Sequence, residues 1–396
     1  MSISPLLSGN VARNCHPVGC QAYVQQQVDY INSLPKLQTI KNVLIIGGSS
    51  GFGLASRVAL TQSCHSNSLS VSMERGPSEK GMGSAGWYNN VFAKQQAEAL
   101  GLRSDNIIAD AFSLETMQST VDYFKANYAG KIDLVIYSLA SGKRIDGEQT
   151  WFSCLKTAEQ TMHGYSLNLE TDSLTPDQVG PASQDELEAT AKVMGGEPWL
   201  QWIEVLANAD LLNSGCKTLA FSYIGPELTA PIYRDGSIGF AKQNLHLHAG
   251  LINTKFRDLS IQAMPCVAKA LVTKASVFIP VMSPYIAALY DVMKHKELHE
   301  ETIQQAYRLL SEHLFPKSGE AQLDDEGCLR IDDWELREDV QAQVNKQLDG
   351  LSPENFKQRL DYQGYKQSFL QLNGFGFEHI DYSSELDSQW LAQLRP

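Results

Sequence analysis

The sequence predicts an α/β protein: a Rossmann-type, doubly wound parallel sheet with helical insertions and a small C-terminal extension. Three observations carry that expectation. Short apolar, β-branched runs alternate with longer segments of near-3.6 spacing, the mark of right-handed βαβ crossovers. A glycine-rich turn follows the first such run directly. The 396 residues, 43% hydrophobic and 19% charged, supply a large buried core.

Strands are expected at Asn42–Ile46, Leu69–Met73, Ile107–Ala109, Leu134–Tyr137, Thr218–Tyr223 and Val267–Thr273. Helical spacing runs through Leu54–Gln62, Ala93–Leu100 and Leu114–Asn127, with further helices at Asp185–Met194 and over 237–255. Two regions break the rhythm. Residues 143–217 form an insertion between the fourth and fifth strands, placed near the substrate. Residues 316–396 form the C-terminal extension, and 316–335, rich in Asp, Glu and Gly, read as turns or a small hairpin. Length alone suggests two or three domains. The cofactor residues proposed below run from Gly48 to Thr273, so no cut leaves a complete site. Residues 1–396 therefore read as one enlarged dinucleotide-binding domain.

Charge narrows the function classes. Lys and Arg total 32 against 45 Asp and Glu, a net charge of −13. That speaks against nucleic-acid binding, which needs a basic face. No apolar run reaches membrane-spanning length, and MSISPLLSGNVARNC lacks the pattern of a secretory signal. Seven scattered cysteines with no CxxC pair point to a reducing cytoplasm. A monomer is expected.

No metal set is expected. His16 and Cys20 do not complete a tetrahedral site, and His16-Pro-Val-Gly-Cys20 reads as structural. Asp324-Asp325-Glu326 and Asp332-Asp333 lack calcium-loop spacing and read as solvated turns. His246 and His248, two apart on a helix, do not share a face.

The first strand runs into Gly47-Gly48-Ser49-Ser50-Gly51-Phe52-Gly53 and then a helix. Small residues let the chain turn sharply, let the backbone approach a pyrophosphate, and let the helix pack on the sheet. The helix N-terminus supplies free N–H groups and a positive dipole end. No Gly-Lys-Ser/Thr follows, so this is not a Walker A loop. At the second strand's end, Glu74 suits the ribose hydroxyls and NAD(H), whereas Arg75 suits a 2′-phosphate. Asp110-Ala111-Phe112 ends the third strand, where Asp110 either bonds adenine or, with Ser113, caps a helix. Ser138-Leu139-Ala140-Ser141, small at the fourth strand's end, fits the ligand crevice.

Tyr233 and Lys242 stand nine apart, a Y-x8-K pattern, with Lys242 in the second turn of the 237–255 helix. A phenol can stabilise charge developing on a carbonyl oxygen, and a nearby ammonium lowers the phenol's effective pKa.

The chain resembles the FabV-type trans-2-enoyl reductases, enlarged relatives of the short-chain dehydrogenases. The resemblance rests on His16–Cys20, Gly47–Arg57, Ala85–Asn89, Asp133–Ser141, Met194–Glu197, Ser222–Thr229, the Tyr233/Lys242 spacing, Leu271–Ser276 and Asp332-Asp-Trp-Glu335. It implies NADH-dependent reduction of enoyl-CoA or enoyl-acyl-carrier-protein thioesters in fatty acid synthesis. It implies that Tyr233 donates the proton, Lys242 holds the cofactor ribose, and Tyr223 contacts the thioester carbonyl. Gly48, Ser49, Ser50, Gly51, Phe52, Gly53, Glu74, Arg75, Asp110, Ala111, Ser138, Leu139 and Ala140 would line NADH. Leu271, Val272 and Thr273, taken as the sixth strand's end, would face the nicotinamide.

The chain departs from that family at Gly48, Phe52 and Gly142-Lys143-Arg144, and at Val281–Pro284, which would border the acyl pocket. An acidic carrier protein needs a local basic patch on an acidic enzyme, and Lys143-Arg144 is the candidate. Two other readings compete. A short-chain carbonyl reductase would show itself on a ketone panel. A non-catalytic NAD-binding redox sensor would lack the active-site tyrosine.

Overall fold

The computed structural model describes residues 3–79 and 81–396. Seven parallel strands make the central sheet: β1 (Asn42–Ile46), β2 (Asn67–Ser72), β3 (Ser104–Ile108), β4 (Ile132–Tyr137), β5 (Leu212–Ser222), β6 (Gln262–Val267) and β7 (Leu329–Arg330). Their order is β7-β6-β5-β4-β1-β2-β3. The chain reverses direction across the sheet between β1 and β4, which opens a crevice at their C-terminal ends.

In chain order the helices are α1 (Pro17–Asn32), α2 (Gly51–Cys64), α3 (Ala85–Glu98), α4 (Leu114–Asn127), α5 (Gln184–Met194), α6 (Glu197–Asn208) and α7 (Ser237–Lys255). After these come α8 (Ser283–His295), α9 (Thr302–Arg308), α10 (Glu338–Leu348), α11 (Phe356–Arg359), α12 (Tyr362–Gln371) and α13 (Ser388–Gln393). Every side chain of β1 is buried, because both faces are covered. Val43 and Ile45 pack with α1, α2 and α3, while Leu44 and Ile46 pack with Met117, Trp199, Trp202 and Leu245 of α4, α6 and α7. A third cluster joins α8, α10 and α12 to Leu167, Leu174 and Tyr233. Among the described residues, no helix is long and apolar enough to cross a membrane.

Four expectations change. The sixth strand is Gln262–Val267 rather than Val267–Thr273. Its Pro265 disguises it, and the apolar run after it is an irregular buried segment. Segment 316–335 is no hairpin, since Leu329–Arg330 joins the main sheet parallel to β6. The stretch from 143 ends in ordinary crossover structure, α6 and then β5 from Leu212. Before that it forms two antiparallel hairpins, Lys143–Asp146 with Gln149–Phe152 and Met162–Asn168 with Ser173–Val179. Finally, Asp332 and Asp333 are not a solvated turn. Asp332 is fully buried against Arg330 at 2.7 Å, and Asp333 pairs with Arg308 at 2.7 Å. The 324–326 turn is as expected, with Asp324 accepting from the N–H groups of Glu326 and Cys328.

His16-Pro-Val-Gly-Cys20 is structural. His16 caps α1 by accepting from the Gly19 N–H, and its own N–H donates to the Asn373 carbonyl at 2.9 Å. A Cβ on Gly19 would sit 1.6 Å from the Gly374 carbonyl oxygen.

Candidate active site

The glycine turn leaves β1 as its sequence requires. Gly47 has φ +92°, and a Cβ there would lie 2.4 Å from the Ser138 carbonyl oxygen. A Cβ on Gly53 would lie 2.1 Å from the Gly47 carbonyl oxygen, so α2 packs closer than alanine allows. Ser50 precedes α2 without a side-chain capping bond. The first-turn N–H groups of α2 have no intrahelical acceptor. Gly48 lies against Ser70 of β2, and Gly51 faces Thr273 across the crevice.

Glu74 turns back to this loop. One carboxylate oxygen accepts from Ser49 Oγ at 2.6 Å, and the other accepts from Ser84 Oγ. Arg75 is exposed beside it. Within the Gly76–Gly86 loop, Lys80 lies outside the described residues. At the end of β3, Asp110 Oδ1 accepts from the Phe112 N–H, while Ser113 caps α4. Ala111 is buried, and its carbonyl accepts from Trp202 Nε1 at 2.9 Å. Ser138 continues the β4 edge, donating to the Ile46 carbonyl at 2.7 Å, with Leu139 half-buried and Ala140 exposed beyond it.

Tyr223 stands just past β5. Tyr233 precedes α7 and is only 7% exposed. The two rings meet edge to face at 4.3 Å. Lys242, in the second turn of α7, donates from Nζ to the Phe221 carbonyl at 2.9 Å. Phe221 in turn stacks on Phe52 of the glycine turn at 4.8 Å. The fold therefore brings the turn, the tyrosines and the lysine to one place. Burial pushes the Tyr233 phenol above its ordinary pKa, aided by Glu335, so it stays protonated. Burial lowers the Lys242 ammonium to about 8.

Leu271, Val272 and Thr273 lie beyond the end of β6. The Val272 N–H donates to Tyr290 OH at 3.2 Å, and Ser276 Oγ ties the Leu271 carbonyl to the Thr273 N–H.

Sequence reasoning missed Glu335. It is fully buried, and its Oε1 accepts from Tyr223 OH at 2.7 Å and Tyr285 OH at 2.6 Å. Its Oε2 accepts from the Ala270 N–H at 2.7 Å. One carboxylate thus anchors Tyr223 and the segment leading to Thr273. Burial raises its pKa against the pull of these donors. Its place in the Asp332–Glu335 run was visible, but its partners lie in other elements.

Arg144 corrects the basic-patch expectation. It is 2% exposed, pairs with Asp146 and Glu197 at 3.1 Å each, and donates to the Lys192 carbonyl. Only Lys143 of that pair faces solvent. Val281–Pro284 starts α8 against the second hairpin, where Ser283 Oγ accepts from the Leu167 N–H at 2.8 Å.

Three family models match in sequence. The NAD(P)H binding domain of trans-2-enoyl-CoA reductase matches residues 2–79, and the trans-2-enoyl-CoA reductase catalytic region matches 81–315. A model described as an enoyl reductase FAD binding domain matches 323–386. An enoyl-acyl-carrier-protein reductase (NADH) of Photobacterium profundum is 47% identical over the full length of both chains. A trans-2-enoyl-CoA reductase (NADH) of Clostridium beijerinckii is 43% identical, again over both full lengths. The crystal structure of trans-2-enoyl-CoA reductase from Clostridium acetobutylicum with NADH superposes with a TM-score of 0.97, at 43% identity and full coverage of both chains.

Proposed function

The chain belongs to the trans-2-enoyl-CoA reductase family, and from that premise we propose that it reduces the trans-2 double bond of enoyl thioesters with NADH, in fatty acid synthesis. The thioester is carried on CoA or on acyl carrier protein. The observation that carries this reading is the chain of contacts through Phe221, whose carbonyl accepts from Lys242 and whose ring stacks on Phe52, which joins the lysine to the glycine turn. The Y-x8-K pair and the family together set aside the carbonyl-reductase and redox-sensor readings.

The residues present fit NADH. The glycine turn leaves the α2 N-terminus clear of side-chain caps for a pyrophosphate. Glu74, already oriented by Ser49 and Ser84, has acceptor capacity for ribose hydroxyls and repels a 2′-phosphate. NADH supplies the hydride for the β-carbon. We assign Lys242 to hold the nicotinamide ribose and Tyr233 to share its phenol proton with the enolate oxygen, after which a proton reaches the α-carbon and the thioester carbonyl re-forms. Tyr223 has a single hydroxyl proton and donates it to Glu335, so its share is to position Tyr233 and the thioester by contact. Ile232, Leu271, Met282 and Tyr285 share the apolar cluster with Tyr233 and form the acyl wall.

Residues 323–386 do not fit a flavin dinucleotide. Their one sheet strand, β7, has two residues and runs into Ile331-Asp332 instead of a glycine turn. Glu338 and Asp339 open α10, and the Asp361 side chain caps α12. A pyrophosphate at either helix would meet carboxylates. No step is routed through a flavin.

The same proposal takes the chain as one domain working as a cytoplasmic monomer. The seven free cysteines support the reducing compartment. Crotonyl-CoA with NADH, followed at the NADH absorbance band, tests the activity. No turnover with thioesters of any chain length overturns it.

A further inference from the structure

The sequence sets His246 aside because His248 does not share its helix face, and the Asp324–Glu326 turn because it lacks calcium-loop spacing. The fold adds Cys328. One ligand atom each from His246, Glu326 and Cys328 lies within 4.8 Å of the others. We propose that these three side chains form a binding site for a divalent cation of the Zn²⁺ class, with water as the fourth ligand.

The chemistry suits a borderline-soft ion, which favours imidazole and thiolate with a carboxylate as the third partner. His246 Nδ1 lies 3.9 Å from Cys328 Sγ, near the separation that two ligands of one tetrahedral ion adopt. The other ring nitrogen, Nε2, is 3.1 Å from Ser222 Oγ, the outer contact that fixes a ligating imidazole's orientation. The turn carrying the other two ligands is set before any ion arrives. Asp324 Oδ1 accepts from the Glu326 and Cys328 N–H groups at 3.0 and 2.8 Å, and Gly327 between them has φ +77°. Glu326 is exposed and opens the site to solvent, while Cys328 is buried at its floor. Burial keeps the His246 imidazole neutral, the state that ligates. Burial, with Asp324 and Glu326 nearby, pushes the Cys328 thiol up to about 12. On binding, the thiol proton leaves to solvent and the thiolate forms the bond to the cation.

The site reports onto the reductase centre. His246 lies one helical turn after Lys242 on α7, and Ser222 directly precedes Tyr223. A dication there disfavours the Lys242 ammonium by like-charge repulsion. This coupling rests on the role proposed for Lys242, whereas binding does not.

The test is titration of the purified, metal-free enzyme with Cd²⁺, read as thiolate-to-metal charge-transfer absorption in the ultraviolet. One equivalent should give the band, Cys328→Ser should abolish it, and His246→Asn should weaken it while crotonyl-CoA turnover without metal persists. No band in the parent enzyme, or an unchanged band in Cys328→Ser, overturns the site. Zn²⁺ should lower turnover severalfold, EDTA should restore it, and Cys328→Ser should be insensitive. A full cadmium band with turnover indifferent to Zn²⁺ overturns the coupling and leaves the site standing.

Discussion

Tyr223 and Glu335, 112 positions apart in the chain, are joined by a hydrogen bond of 2.7 Å. The same carboxylate accepts from Tyr285 on that oxygen and from the Ala270 N–H on the other. A carboxylate accepts from all three donors, whereas a carboxamide either sets its NH₂ against the Ala270 N–H or forces both phenols to turn and accept from it. Glu335→Gln therefore releases either Tyr223 or the segment leading to Thr273. Displacements of about 1 Å near reacting atoms cost on the order of a hundredfold in rate. We expect kcat with crotonyl-CoA to fall about tenfold to a hundredfold while the NADH dissociation constant holds. Glu335→Asp, which keeps both acceptor oxygens, should recover part of the rate. Equal kcat in the parent and Glu335→Gln would remove Glu335 from the proposed centre.

Tyr233→Phe deletes the proposed proton donor and keeps the ring that packs on Tyr223. Positioned proton transfer contributes about 10²- to 10⁴-fold, and turnover should fall within that range. NADH binding, followed by fluorescence, should be unchanged. Lys242→Met should weaken both, because the ammonium that donates to the Phe221 carbonyl is the group assigned to the nicotinamide ribose.

The lysine also sets a pH limit. Burial lowers its folded pKa to about 8, below the ordinary value of 10.5. In the folded protein the ammonium is therefore lost as pH rises through about 8, and turnover should decline there. For stability the sign is opposite: as pH falls from 10.5 through about 8, the unfolded chain takes up the proton first. The stability this group contributes at alkaline pH is lost over that window. A kcat/KM profile that stays flat between pH 7 and 10 would contradict the role given to Lys242.

Glu74 tests cofactor choice. Its two oxygens hold Ser49 and Ser84, so the glycine turn and the loop after β2 are tied to the same carboxylate that would meet the ribose. Glu74→Ser removes the charge that opposes a 2′-phosphate, beside the exposed Arg75. The ratio of NADH to NADPH kcat/KM should fall by about tenfold or more, the worth of one charge-assisted contact. An unchanged ratio would place the discrimination elsewhere.

Five of the six predicted strands and the glycine turn were legible: β1 and β4 carry the nearly continuous apolar runs of buried parallel strands, and β2, β3 and β5 carry shorter or interrupted ones. Pro265 hid the register of β6, and β7 is too short to leave a pattern. The Tyr233/Lys242 spacing was visible in the sequence, with Tyr233 just before α7 and Lys242 on it. Glu335 was not, since nothing local distinguishes a carboxylate that will meet Tyr223, Tyr285 and Ala270. The fate of Arg144 was hidden for the same reason: its partners Glu197 and Lys192 belong to helices far along the chain.

The N- and C-terminal regions should stabilise each other through one glycine. A Cβ on Gly19 would sit 1.6 Å from the Gly374 carbonyl oxygen, and the obstacle is backbone rather than a movable side chain. The neighbouring His16 N–H bonds the Asn373 carbonyl, and His16 packs edge-on against Tyr382 at 4.9 Å. Gly19→Ala must therefore push α1 off the segment after α12. Overpacking of this kind destabilises by about 1–3 kcal/mol, and the lost His16 contacts place the variant at the upper end. The thermal midpoint should drop by several degrees, and protease should cleave the C-terminal segment sooner. The kcat at low temperature should hold, because Gly19 touches none of the proposed site residues. A midpoint equal to the parent's would mean that the two ends do not brace each other.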